Sequence, residues 1–286
     1  MLSTVHSSPP LPVEFHTWLQ GQFEREIELP LLPEVASRIV AMCEDDDTDL
    51  REVKRALEQD PSLASNFLRI ANSSLYASND SIVSLQQAVN RLGLNTTRTI
   101  ALSASLRGGV FSVPAHEDRV RAIWHHSVVC ASFAREIARR LRSNVEGAFL
   151  CALLHDIGQP IVLQAALAAP ESLAKRPISP ELLESAMREF HADIGGRLIQ
   201  AWRLADWTVA AVTHHHRPEL AAPFENEARL VRLADLLAHW ALDGEANPED
   251  FPVTDPVVEQ LGLYRESVEE LLALRSAVLE GAKGLS

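Results

Sequence analysis

The chain is expected to be all-α, with an N-terminal bundle of about five short helices packed on a C-terminal helical lobe. Three observations predict this. Over 286 residues strand-like alternation is nearly absent, N-cap signals recur at short intervals, and apolar residues between them repeat at helical spacing. With 47% hydrophobic and 23% charged residues the chain can bury the core of one large or two ordinary domains, and it falls outside the disordered class.

Residues 1–12, with three prolines and four Ser/Thr, read as a frayed leader before a short helix at about Val13 to Arg25. Pro33 opens a helix with Ala36, Ile39 and Cys43 on one face, and the acidic turn Glu44 to Asp47 ends it. Asp49 with Glu52 has capping-box spacing for a helix through Leu57, and Asp60-Pro61 caps a helix that points Leu63, Phe67 and Ile70 inward. Ser84 with Gln87 repeats the box, and Gly93 is the αL stop between Leu85–Leu92 and a helix from about Asn95 to Arg107. No cluster of titratable groups lies on the apolar faces of this lobe, so it packs and binds. Gly108-Gly109 and Pro114 mark its end, giving units at 1–25, 26–113 and 114–286.

In the second lobe a long helix, Glu117 to Arg142, places His126 on one face with Ile123, Cys130, Phe133 and Ile137, so His126 is inward and His125 is not. A helix from about Val145 to Asp156 sets Gly147, Ala148, Cys151 and Ala152 below His155, small enough for another helix to approach closely. Further helices are expected at about Pro180–Phe190, Ala192–Trp202, Trp207–His215, Glu227–Leu242, Pro256–Leu261 and Arg265–Ala282.

Composition limits the function. The net charge of -13 argues against nucleic acid as a partner, and the one basic cluster, Arg135 to Arg142, reads as a solvated helix face. Cys43, Cys130 and Cys151 are odd in number and far apart, which suggests neither disulfides nor a thiolate metal site. Uncharged apolar runs such as Ala148 to Leu154 fall short of the ~20 residues that span a bilayer, and the N-terminus lacks a signal pattern. A cytoplasmic protein with no membrane partner is expected.

The chemistry centres on His155-Asp156, an imidazole and a carboxylate at the end of an apolar run, where an unpaired charge is costly. His126, His191, His214, His215, His216 and Asp235 are similarly placed. Asp235 lies on the inward stripe of its helix, where a carboxylate needs a cation; Arg229 or Arg232 is the alternative to a metal. A lone histidine on an apolar face is usually a hydrogen-bonded core residue, and His6, His16, His116, His125 and His239 are read so. His155-Asp156 with downstream candidates on separate helices is read as a site for a divalent metal, since imidazole and carboxylate suit borderline to hard cations.

The stretches LPLLPEVASRI, QDPSLASNFLRIANSSLYA, SIVSLQQAVNRLGLNTTRTIAL, IWHHSVVCASFAREIA, LCALLHDIGQPIVL, FHADIGGRLIQAW, THHHRPEL and LVRLADLLA, from Leu29 to about Trp240, resemble the HDOD (HD-related output domain) family. That family lies within the HD superfamily of metal-dependent phosphohydrolases, and the first three stretches are specific to it. The resemblance implies core metal ligands at His126, His155, Asp156 and Asp235, and second-metal histidines at His191, His215 and His216, with His214 the alternative to either of the last two. It further implies one or two ions (Fe, Mn, Zn, Ni or Mg) and Asp156 as the catalytic carboxylate of phosphoester hydrolysis.

Three departures from the catalytically active pattern bear on activity. Gln159 stands where lysine usually follows HDIG, Pro-Glu-Leu-Ala-Ala follows Arg217 in place of a GYP-like loop, and Ala122 replaces an acidic residue one turn before His126. The expectation is therefore a bacterial signal-transduction protein acting mainly on other signalling proteins with its metal site retained. The alternative is a phosphohydrolase acting on a nucleotide or cyclic dinucleotide.

Overall fold

No strand occurs among the described residues, which in this computed structural model are 10–25, 29–43, 45, 47–73, 75–76, 81–107, 113–174, 177–244 and 246–283. The leader through residue 9 with His6, Glu44 and Asp46 of the acidic turn, and Gly108-Gly109 lie outside them.

Helix α1 (Val13–Glu24) precedes the first lobe and lies against the later segment Gln159–Leu167; the lobe itself comprises α2 (Glu34–Cys43), α3 (Leu50–Leu57), α4 (Pro61–Ala71) and α5 (Leu85–Arg107). Asp49, Asp60 and Ser84 cap their helices, although Asp49 takes the Arg51 N–H in place of its expected box partner Glu52. The Asp49 carboxylate accepts from Arg51 N–H, Asp60 from Leu63 N–H, and Ser84 Oγ from Gln87 N–H, while Gln87 answers by accepting from Val83 N–H. Gly93, at φ 73°, breaks α5 in the left-handed region that a Cβ disfavours. Leu63, Phe67 and Ile70 are buried.

The second lobe comprises α6 (Glu117–Leu141), α7 (Val145–Leu154), α8 (Gln159–Leu167), α9 (Pro180–Ala201), α10 (Asp206–His214), α11 (Glu225–Leu242), α12 (Pro256–Gln260), α13 (Arg265–Ala273) and α14 (Arg275–Lys283), with single turns at Pro218–Leu220 and Pro248–Asp250. Helix α6 lies against α7, α11 and α14, and α9 lies against α8 and α10. Helix α5 joins the lobes by packing on α7.

Several expectations require correction. Helix α9 runs unbroken through His191, whose ring turns back to the Met187 carbonyl instead of opening a new helix. The final helix is two, divided at Leu274, where the Arg275 guanidinium donates to the Ala241 and Asp243 carbonyls at the end of α11 and turns the chain. Helix α8 was not anticipated, and α7 ends at Leu154, leaving His155 and Asp156 on the turn that follows. The stretch Val145–Leu167 is long and apolar enough to cross a membrane by length and composition, unlike the shorter runs counted in the sequence, and most of it is buried within the fold. The three cysteines are free and buried.

Arg135 is also not part of a solvated face. It is 2% exposed, its guanidinium lies 4.4 Å from the Tyr76 ring centroid and 4.6 Å from that of Phe149, and it donates to the Leu75 carbonyl and to Glu146. A planar cation between two rings recovers part of its lost hydration through the ring quadrupoles. Arg135 thereby ties the segment after α4 to α6 and α7. Replacing it with lysine or leucine should destabilise the protein by about 2–4 kcal/mol, since either change loses a forked, stacked contact in a buried setting. Urea unfolding measures this, and a loss below about 0.5 kcal/mol would show that Arg135 carries no such role.

Candidate metal centre

Five parts of the second lobe each deliver side chains to one place. Helix α6 supplies His126, the turn after α7 supplies His155 and Asp156, α9 supplies His191, the end of α10 supplies His215 and His216, and α11 supplies Asp235. Two glycines allow this convergence. A Cβ on Gly158 would stand 2.1 Å from the His191 carbonyl oxygen, and one on Gly196 would stand 1.9 Å from Thr213 Oγ1. Only without those atoms can α9 lie against the His155-Asp156 turn and against α10.

All seven expected side chains meet. His126 Nε2 lies 2.9 Å from Asp235 Oδ1, and His155 Nε2 lies 3.6 Å from the same oxygen. Asp156 presents its two oxygens in two directions. Oδ2 is 3.2 Å from His155 Nε2 and 3.8 Å from His126 Nε2, whereas Oδ1 is 3.3 Å from His191 Nε2. His191 Nε2 in turn lies 3.3 Å from His215 Nε2 and 3.1 Å from His216 Nε2. The ligand atoms of His126, His155 and Asp235 fall within 4.8 Å of one another, as do those of His191, His215 and His216. Asp156 stands between the two groups.

The outer hydrogen bonds aim the rings. His155 Nδ1 is 2.7 Å from the Ala152 carbonyl, His191 Nδ1 is 2.8 Å from that of Met187, and His215 Nδ1 is 2.7 Å from that of Val212. A carbonyl only accepts, so each Nδ1 carries a proton and each ring turns its Nε2 into the site, where it is a ligand atom whenever it is unprotonated. His191 Nε2 and His215 Nε2 face each other across 3.3 Å, a spacing at which one cation can bind both. His155 Nε2 is buried without a well-formed hydrogen bond. The 3.1–3.3 Å nitrogen separations match the about 3.0–3.4 Å between neighbouring ligands that metal–nitrogen bonds of ~2.0–2.1 Å produce. The residues present fit a divalent cation.

The electrostatics follow from burial without such a cation. Burial favours the neutral forms of Asp156 and Asp235, but the facing imidazoles override it and hold both carboxyls well below their usual range. Burial also opposes a charged His155, yet Asp156 beside it raises that ring well above an ordinary histidine. His215 is pushed well below the ordinary value by burial and by His216, and burial with His191 lowers His216 to about 4.

Among the described residues, His214, His16 and His125 fall outside the two groups, and one further histidine does not stay apart. His214 ends α10 half-buried outside both groups, and it is His215 and His216 that face inward. His16 stands 3.8 Å from Glu189, and His125 is half-buried on α6. The arginine alternative for Asp235 does not hold, because Arg232 pairs with Asp255 at 3.0 Å and Arg229 donates to Asn226. The exception is His239, whose Nε2 lies 3.3 Å from Asp235 Oδ1. The signal for it was its place four residues after Asp235, one helical turn along the same face.

Asp156 beside His155 strengthens that ring's hold on a proton, so a metal at His155 Nε2 competes with protons for the site. Calorimetric titration with Mn or Zn at several pH values should therefore show binding to the His126–His155–Asp235 group that weakens as pH falls, with proton release on binding. Affinity that does not change with pH would contradict this competition at His155.

Comparison with known proteins places this arrangement in a family. A crystal structure from Shewanella amazonensis SB2B, provisionally named a phosphohydrolase, is similar at 26% identity and TM-score 0.70, covering 95% of this chain and 100% of that one. A second from the same organism, provisionally named a metal-dependent phosphohydrolase, shares the fold at TM-score 0.74 and 22% identity, covering 94% of this chain and 98% of that one. An uncharacterised protein of Treponema pallidum (strain Nichols) is 25% identical over 267 residues, 91% of this chain and 50% of that protein. The chain thus spans about half the length of this curated relative. The family model of the HDOD domain matches residues 29–218, more than half of the sequence, and the chain belongs to the HDOD family.

Proposed function

We propose that the protein is a bacterial, cytoplasmic signal-transduction regulator that acts mainly by binding other signalling proteins, and that it keeps a centre for one or two divalent ions among Fe, Mn, Zn, Ni and Mg. The observation that carries the metal part is Asp156, whose two oxygens face two separate groups of imidazole ligands. His126, His155 and Asp235 with Asp156 Oδ2 would hold one ion, and His191, His215 and His216 with Asp156 Oδ1 a second. When bound, such ions supply Lewis acidity and activate water.

The regulatory part rests on what surrounds that centre. Gln159 opens α8 directly after the His155-Asp156 turn, so the side chain there is a neutral amide where a cation would hold a phosphate. After His216 the chain passes into the turn Pro218–Leu220 without a substrate loop between them. Ala122, one turn before His126, is exposed and brings no carboxylate. The net charge of -13 favours protein partners over nucleic acid.

The completeness of both ligand groups favours a second reading, a phosphohydrolase acting on a nucleotide or cyclic dinucleotide with Asp156 as its catalytic carboxylate. Turnover separates the two. Protein loaded with Mn or Fe should leave nucleotides and cyclic dinucleotides intact, and hydrolysis that Asp156→Ala abolishes would select the enzyme. The metal is tested independently. Purified protein should carry it on elemental analysis, and verified chelation should lower the melting temperature by several degrees, because a ligand held only by the folded state stabilises that state. An unchanged melting curve would remove the ion's structural role.

A further inference from the structure

Asp235 Oδ1 has three imidazole nitrogens around it: His126 Nε2 at 2.9 Å, His239 Nε2 at 3.3 Å and His155 Nε2 at 3.6 Å. Two of the three belong to the first ligand group; the third does not. His239 stands one turn along α11 from Asp235, with its side chain 71% exposed against 11% for that carboxylate. It is therefore the solvent-side member of the cluster. Its ring centroid is 4.4 Å from that of His126, within the span from the 4.0 Å of His215 and His216 to the 5.4 Å of His126 and His155. The 3.3 Å between its Nε2 and Asp235 Oδ1 is also the spacing of two ligands on one cation.

We propose that His239 is an additional metal ligand, which closes the solvent side of the His126–His155–Asp235 group over a divalent first-row cation. The inference rests on the metal-holding reading above and deepens it. An imidazole on the open side occupies the approach that water or an anionic substrate would use. A centre so capped holds its ion firmly and presents little of it to a phosphate, which suits a retained but mainly non-catalytic metal. The bland alternative is a hydrogen bond from His239 Nε2–H to Asp235 within one helix, with no contact to the ion.

Cobalt(II) with azide distinguishes these. Full-length wild-type protein and His239→Ala, each also in a His191→Ala background that confines the ion to the first group, are titrated with Co(II) and then with azide, following visible absorption. Because the His239 side chain is exposed, its removal leaves the core intact, and circular dichroism checks this. The proposal expects His239→Ala to bind Co(II) about tenfold or more weakly, and its Co(II) form to bind azide about tenfold or more tightly than wild type. Equal azide affinity in the two proteins overturns the proposal, and weaker Co(II) binding with unchanged azide affinity leaves His239 as a hydrogen-bond partner of Asp235 only. Wild-type protein that binds no Co(II) at all would instead defeat the metal reading on which the inference stands.

Discussion

Two carboxylates, Asp156 and Asp235, are buried within one cluster of imidazoles, and the second lobe is arranged around compensating them. Among the described residues no arginine or lysine pairs with Asp235; its partners there are His126, His155 and His239. Imidazoles can neutralise carboxylates by taking protons, but at this site three rings have committed Nδ1 to backbone carbonyls and turned Nε2 inward. Protons satisfy that arrangement poorly, and a divalent cation satisfies it with every group in its ordinary ionisation state. The constraint explains why one element each must supply a ligand and why their approach is so close.

Close approach is where the fold and the site meet. Gly158 and Gly196 let α9 touch the His155-Asp156 turn and α10; a methyl group at Gly158 would meet the His191 carbonyl, and one at Gly196 would meet the Thr213 side chain of α10. The unbroken course of α9 holds His191 over the centre, and α6 and α11 pack along each other so that His126 and Asp235 come within 2.9 Å. Farther away, Arg135 between Tyr76 and Phe149 ties the first lobe to the same α6 and α7 that carry His126 and lead to His155.

Much of this was legible in the sequence, for physical reasons. Caps at Asp49, Asp60 and Ser84 announce helices because a side chain that satisfies orphan N–H groups is a local property. His126 and Asp235 were legible because a polar residue on an apolar stripe conflicts with its helix unless something pairs with it. What escaped was decided by tertiary contacts. His191 looked like a break in α9 because its bond to the Met187 carbonyl leaves no local sign, and Arg135 looked solvated because its two rings come from distant segments. His239 sits on the exposed edge of its helix, where a histidine is unremarkable until the position of the Asp235 side chain is known.

Under the proposed reading, a metal centre at the buried carboxylates and inward imidazoles is the organising feature of this HDOD protein. Diffraction data on protein purified without added metal, collected on both sides of the absorption edges of Fe, Mn, Ni and Zn, test it most directly. The account predicts an anomalous peak among His126, His155, Asp156 and Asp235, with any second peak among Asp156, His191, His215 and His216. Ordered water alone linking those side chains, with no anomalous signal in well-folded crystals and none after soaking with these metals, would contradict it.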